Sequence, residues 1–245
     1  MEENLIELIK KKKEFSQLPE SLIKRALNLC KKDVKKTRAV LRKYFGVFLT
    51  NKVLKLNDEK ILEKHLSTKN REYFNFYKEL FKNSQFNSVI DIGCGINGFS
   101  YSYLNEIFPD IQYFGVEAVK QLVDKTNDFF KEKGFENAKI YWGDVFDLDK
   151  ISFLFKEVKK PTAIFLFQVI DALEFFERDF SKKLLLFLRE EMKEEDKIFI
   201  SLSIKSLSGK KKFRTKREWL REFLNKNFSV EEGILNEEIV FMCKI

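Results

Sequence analysis

Histidine and cysteine are almost missing from these 245 residues. The one histidine is His65, and the three cysteines, Cys30, Cys94 and Cys243, lie far apart with no CxxC spacing. A zinc centre or an imidazole-based triad needs more ligands than that. His65 therefore reads as a structural or capping group, not a general base. So few and odd a set of thiols suits a reducing cytoplasm, not a disulfide scaffold. Long apolar runs are lacking too. No stretch approaches the 18 residues of a membrane span, and the charged N-terminus has no apolar segment of the secretory kind.

What is present is an ordinary apolar fraction, 44%, with 27 phenylalanines. The length allows one large domain or two modest ones, with an aromatic core. The net charge of +8 is placed unevenly. Residues 1–60 hold 16 Lys/Arg against 8 Asp/Glu, so the remaining 185 residues, with 30 of each sign, are neutral. A local positive field draws polyanions, nucleic acid first. A solvated set of Lys-rich helix faces would give the same count.

Residues 1–82 read as helical. Leu5, Ile6, Leu8 and Ile9 share one side of a first segment. Pro19 and Ser21 suit the start of a second, in which Leu22, Ile23, Ala26, Leu27 and Cys30 recur near the helical period. Val34, Ala39, Val40, Leu41 and Phe45 continue the pattern up to Gly46. The expectation is a small basic helical bundle over 1–82, followed by a second domain over 83–245.

From residue 86 short apolar runs alternate with helical patterns. The runs are Ser88–Ile92, Tyr113–Val116, Ala138–Trp142, Ala163–Phe167 and Ile198–Ser201. Helices are expected at 98–107, 118–133 (closed by Gly134), 147–158, 171–192 and 215–226. Phe228–Glu232 and Glu238–Lys244 form a closing antiparallel pair with Asn236 in the turn. The predicted fold class is α/β, a Rossmann-like parallel sheet with helices on both faces and an antiparallel end.

In such sheets ligands bind outside the carboxyl ends of the strands. Asp91-Ile92-Gly93-Cys94-Gly95-Ile96-Asn97-Gly98 stands there, at the end of the first strand. Its glycines let backbone approach a ligand closely. The segment is also a literal GxGxxG, a dinucleotide fingerprint that is weak by itself. Glu117 ends the second strand, where an acid can hydrogen-bond both hydroxyls of a ribose. Asp144, followed by Val145, comes after the third strand, in position for an adenine amino group. A surface Glu favoured by a helix dipole and an ordinary loop Asp are the plain alternatives. No constellation for hydride transfer accompanies them.

Asp91 before the glycines resembles motif I of class I S-adenosylmethionine (SAM)-dependent methyltransferases. Three further segments narrow the likeness. His65-Leu66-Ser67-Thr68-Lys69-Asn70-Arg71 resembles the HxSTRxR element of the aminoglycoside-resistance 16S rRNA (guanine-N7) methyltransferases. Ile92 to Asn97 resembles their extended motif I, which ends in Leu-Asn-Pro, and Ser201 to Lys212 (SLSIKSLSGKKK) resembles their SFPTRSLGGRGK. The likeness covers residues 60–245 well and the basic helical region by character.

The resemblance implies a cytoplasmic, monomeric enzyme that binds SAM and methylates N7 of a decoding-site guanine on the small ribosomal subunit. It implies that Arg71 pairs with the SAM carboxylate, with Asp91, Gly93, Cys94, Gly95, Asn97, Glu117, Asp144, Val145 and Gln168 completing the cofactor site. Lys69, Ser203, Lys205, Ser206, Lys210, Lys211, Lys212 and Arg214 match positions near the RNA. Lys69 stands where the family usually has Arg, Gly98 replaces its Pro, Gln168 an often-present Lys, and Glu117 an Asp. These departures touch the target base more than the reaction class.

Guanine N7 carries a lone pair and no proton, so the chemistry needs orientation and no general base. Cys94 then reads as packing, not a nucleophile. Trp142, Phe167 and Tyr101 are candidates to stack on a target base. The segment Lys205 to Arg217 has seven basic residues and no acid, as a phosphate-contacting loop would. Two readings of other kinds stay open: a methyltransferase for small molecules or proteins, and a non-catalytic RNA-binding or ribosome-assembly protein.

Overall fold

A computed structural model of the chain describes residues 2–46, 48, 55–64, 68–82, 84–204 and 217–245. Three helices open it: α1 (Glu2–Lys10), α2 (Glu20–Leu29) and α3 (Val34–Phe45). Apolar residues at helical spacing turn inward, Ile6 and Ile9 from α1, Leu22, Ile23, Ala26 and Leu27 from α2, Leu41 from α3. Asp33 caps α3 by accepting from the Lys36 amide at 2.9 Å. A further helix, α4 (Tyr73–Leu80), leads into the sheet.

The rest alternates strand and helix: β1 (Ser88–Ile92), α5 (Tyr101–Ile107), β2 (Gln112–Glu117), α6 (Lys120–Glu132), β3 (Ala138–Trp142), α7 (Leu148–Glu157) and β4 (Thr162–Phe167). Then come α8 (Ile170–Phe176), α9 (Phe180–Glu191), β5 (Lys197–Ser203), α10 (Glu218–Asn227), β6 (Ser229–Leu235) and β7 (Glu238–Lys244). The seven strands lie in the order β3-β2-β1-β4-β5-β7-β6. β1 to β5 are parallel and β7 is antiparallel to both neighbours. This is the expected fold class, closing pair included.

Alternate residues of each strand feed opposite faces. Val89, Tyr113, Phe165 and Phe199 point to one side, where α4, α5 and α6 pack. Ile90, Ile164 and Ile198 point to the other, covered by α7, α9 and α10. The phenylalanines gather on the first face: Tyr77 stacks on Phe165 at 6.1 Å, and Phe81 lies 5.7 Å from Phe199. The apolar residues of α1 to α3 belong to that same cluster, so the basic helices and the sheet share one core.

Two expectations on local structure need correction. The helix expected over 171–192 is two helices, because Asp179 takes a left-handed backbone (φ 63°) between α8 and α9. Residues expected to open a helix at 98 instead belong to a 3-10 turn, Gly95–Ser100, before α5 begins. The hairpin turn behaves as predicted. Asn236 and Glu237 both have positive φ, 46° and 64°, which is what a two-residue primed turn demands.

Candidate functional site

A cleft of about 420 Å³ opens at the carboxyl ends of the parallel strands. Its floor is the turn after β1. Gly93 and Gly95 adopt left-handed backbone there, φ 71° and 52°, a region costly for residues with a Cβ. A Cβ on Gly93 would also stand 2.9 Å from the Val169 side chain. Cys94, Ile96 and Asn97 complete the turn, and all of them line the cleft.

The acids at the next two strand ends line it as well. Glu117 is buried at the end of β2. Its Oε2 accepts from the Gly95 amide at 3.0 Å and its Oε1 from the Val119 amide at 2.9 Å. Burial raises its pKa and these backbone donors oppose the rise. Asp144, after β3, accepts from the Phe146 amide at 3.2 Å on Oδ1 and from the Ser21 hydroxyl at 2.7 Å on Oδ2. Both carboxylates are thus held by their neighbours before any ligand meets them.

After β4, Gln168 sits at φ 56°, an uncommon conformation for a side chain of its size. Its amide donates to the Ser201 carbonyl at 2.9 Å, which seats the turn on β5. Gln168, Val169, Val145 and Ser203 all face the cleft.

Asp91 stands behind the floor and not on it. It is 1% exposed. Its Oδ2 accepts from Asn97 Nδ2 at 2.7 Å and from the Tyr113 hydroxyl at 2.5 Å, so it braces the turn from beneath. Oδ1 is buried with no hydrogen-bond partner among the described residues. Burial pushes the Asp91 carboxyl up to about 6, against the pull of those two donors and of Arg71.

Arg71 reaches the cleft from the segment before α4. Its guanidinium forms a fork on Glu238, with Nη2 at 2.7 and 2.8 Å from the two carboxylate oxygens and Nε at 3.0 Å. Nη1 donates to Asn97 Oδ1 at 3.2 Å, and the group lies over the rings of Phe76 and Phe167 at 4.6 and 5.0 Å. Burial works against its charge, but Glu238 outweighs that and keeps the guanidinium protonated.

The opposite wall comes from the basic helices. Leu22 of α2, Lys43, Tyr44 and Phe45 of α3, and Phe48 line the cleft facing the glycine turn. Phe48 is the side chain nearest to Gly95, 3.4 Å from where a Cβ would be, and its carbonyl accepts from Gln121 Nε2 at 3.0 Å. Tyr44 packs on Phe175 and Phe176 at 4.6 and 5.2 Å. The helical region is therefore part of the site.

The remaining expected residues divide. Ser203 is at the cleft, whereas Lys69 is solvent-exposed and outside its lining. Lys205, Ser206, Lys210, Lys211, Lys212, Arg214 and His65 lie outside the described residues. Arg217, counted with the basic loop, is 7% exposed and paired with Asp171, so its charge is turned inward. Of the stacking candidates, Phe167 lines the cleft beneath Arg71. Tyr101 is a core residue whose hydroxyl donates to the Ile111 carbonyl at 2.7 Å. Trp142 is 39% exposed, donates to the Ala118 carbonyl, and is not in the lining. Burial pushes the Cys94 thiol well up, which agrees with packing and not nucleophilic attack.

Sequence reasoning missed Glu238, Ser21, Tyr44 and Phe48. Nothing local marks them, because each acts across a long sequence separation.

A family model described as "Putative methyltransferase" matches residues 85–167. Among solved structures, an rRNA methylase from Escherichia coli superposes with a TM-score of 0.73 at 19% identity, covering 100% of this chain and 99% of that one. The 16S rRNA methylase RmtB gives 0.73 at 18% identity, covering 100% and 98%. The 16S rRNA methyltransferase RmtF, solved with S-adenosyl-L-homocysteine, gives 0.70 at 16% identity, covering 99% and 97%. No curated protein sequence matches significantly. At these identities the likeness establishes the fold, the class I methyltransferase fold with its N-terminal helices, over essentially the whole chain.

Proposed function

We propose that this chain is a SAM-dependent methyltransferase of 16S ribosomal RNA acting on N7 of a decoding-site guanine. One observation carries the reading. Two buried acids, Glu117 and Asp144, flank a left-handed glycine turn at the carboxyl ends of adjacent strands. That is the acceptor set an adenosine requires, with carboxylate oxygens for the ribose hydroxyls and for an exocyclic amine.

The residues fit the rest of SAM as well. Asp91 braces the turn from beneath, its Oδ1 a buried acceptor with no hydrogen-bond partner among the described residues. Arg71 supplies the cation for a carboxylate, and Gly93 and Gly95 leave backbone room beside it. Val145 and Gln168 close the sides, with Cys94 and Asn97 in the turn. When bound, SAM supplies an electrophilic sulfonium methyl. The chain orients the two partners and excludes water between them. The left-handed turn at Gln168 and the end of β5 at Ser203 bound the side on which the base is presented.

The division of labour follows the charge. Residues 1–82 dock on the small subunit with their Lys/Arg excess and lend Arg71 and one wall to the cleft, and residues 83–245 supply the rest of the cofactor site. Lys69, Ser203, Lys205, Ser206, Lys210, Lys211, Lys212 and Arg214 contact RNA in this reading. The enzyme works as a cytoplasmic monomer. Among the described residues no helix is long and apolar enough to cross a membrane. Whether such an activity serves drug resistance follows from the nucleotide modified.

The test is labelled methyl transfer from SAM to small subunits, large subunits and naked rRNA, with the product nucleoside identified by mass. Label in 7-methylguanosine from small subunits is expected. Label confined to a small molecule overturns the reading.

A further inference from the structure

β5 ends at Ser203 and α10 begins at Glu218. Arg217 stands just before α10. Its Nε donates to Asp171 Oδ1 at 3.1 Å, its Nη2 donates to Asp171 Oδ2, and its Nη1 donates to the Ser203 carbonyl at 3.3 Å. Ser203 is the last residue of β5, and Asp171 lies in the first turn of α8, just after β4. One planar group thus joins three chain segments, and both of its partners line the cleft.

The burial is asymmetric. The Arg217 side chain is 7% exposed and that of Asp171 is 51% exposed. A guanidinium so placed cannot reach a phosphate without leaving its pair. Its fork also cannot be reproduced by an ammonium, which offers a point charge and no fixed set of parallel donors.

We infer that Arg217 is a positioning residue for methyl transfer, tying the start of α10 to the rim of the cleft through Asp171 and Ser203, and is not itself an RNA contact. This rests on the RNA methyltransferase reading above. A residue that touches phosphate contributes to the salt dependence of binding. A residue that holds the rim of the cleft in place contributes to turnover and leaves that dependence alone.

The experiment compares Arg217→Gln and Arg217→Lys with Lys211→Gln in the full chain. SAM affinity is measured by calorimetry, turnover on small subunits by label, and RNA affinity over a salt series. Both Arg217 variants should keep SAM affinity within about twofold and lose about tenfold or more in kcat, with the salt slope unchanged, while Lys211→Gln lowers the slope by roughly 0.7–0.9. Full activity in Arg217→Lys, or a lowered slope in Arg217→Gln, overturns the inference, since charge alone would then be what matters. If the wild type methylates no RNA, the functional reading has failed instead. The tie is then read by amide exchange at Leu202–Ile204 and Leu220–Arg221. Exchange should quicken about tenfold or more in both variants, the factor expected when a charge-assisted bond holding a local unit is removed. Unchanged exchange there overturns it independently.

Discussion

Arg71 and Glu238 meet across 167 residues of sequence, the guanidinium taking both carboxylate oxygens at 2.7 and 2.8 Å. Their side chains are 2% and 6% exposed. Two charges have been taken out of water, and each is tolerated only because the other is there.

Removing either one should therefore cost more than removing both. Glu238→Leu alone leaves a buried cation, and Arg71→Met alone leaves a buried anion. Each should lower unfolding stability by about 3–5 kcal/mol in urea titrations. The double variant, apolar on both sides, should recover most of that loss. Costs that simply add would mean that the pair is not the unit that holds β7 to the segment before α4.

Asp91 makes stability depend on pH in the less usual direction. Its carboxyl titrates near 6 in the fold, against an ordinary value of 3.8. Between those values the folded state binds more protons than the unfolded one, so this group's contribution falls as pH rises through that window. Asp91→Asn removes the penalty. Relative to wild type it should be stabilised by roughly 2–3 kcal/mol at pH 7, and the advantage should fade as pH drops from 6 to below 4. Thermal melts of both proteins at pH 4, 5, 6 and 7 check this. An offset independent of pH would refute it. Above pH 6 this buried carboxylate is a cost the fold carries beneath the turn on which SAM is expected to rest.

Ser21 ties the basic helices to the expected adenine site by one bond, its hydroxyl donating to Asp144 Oδ2 at 2.7 Å. Ser21→Ala leaves that oxygen without this donor and free to turn. A bond of this kind contributes about 1 kcal/mol net, so SAM should bind about fivefold more weakly while the fold persists. Calorimetry reads the change. An unaltered dissociation constant would show that Asp144 is held by the Phe146 amide alone, or that adenine does not meet it.

Much of this architecture was legible in the sequence. β1 and β3 fall on the predicted residues, Ser88–Ile92 and Ala138–Trp142, because short β-rich runs bounded by turn residues leave little choice. The places of the glycine turn, Glu117 and Asp144 at the cleft were legible for a related reason: position at a strand end depends on local order along the chain. Tyr44 was not, since only the folding of α3 against α8 brings it to the cleft, nor was Phe48, which reaches the cleft beside Gly95 and Gln121. The burial of Arg217 was not legible, because its charge is visible in sequence and its partner Asp171, 46 residues away, is not. The break at Asp179 escaped because left-handed asparate-type caps look like any exposed acid inside a helical pattern.

The last glycine of the motif should be replaceable if its neighbour makes room. Gly98 lies in the 3-10 turn with ordinary backbone, so its requirement is one of space. A Cβ there would stand 2.6 Å from Thr126 Cγ2 of α6, with Ile140 and Phe130 next at 3.4 and 3.5 Å. Gly98→Ala should thus destabilise by about 1–3 kcal/mol through overpacking. Thr126→Ser deletes the obstructing methyl and keeps the hydroxyl, which donates to the Leu122 carbonyl at 2.8 Å. The double variant should regain most of the loss in urea unfolding, although Thr126→Ser alone only opens a small void and costs about 0.5–1.5 kcal/mol. Rescue identifies the close approach of the turn to α6 as the constraint at this position. Strict additivity would point to the backbone of the turn, and Gly98 would then be needed for its conformation and not for its size.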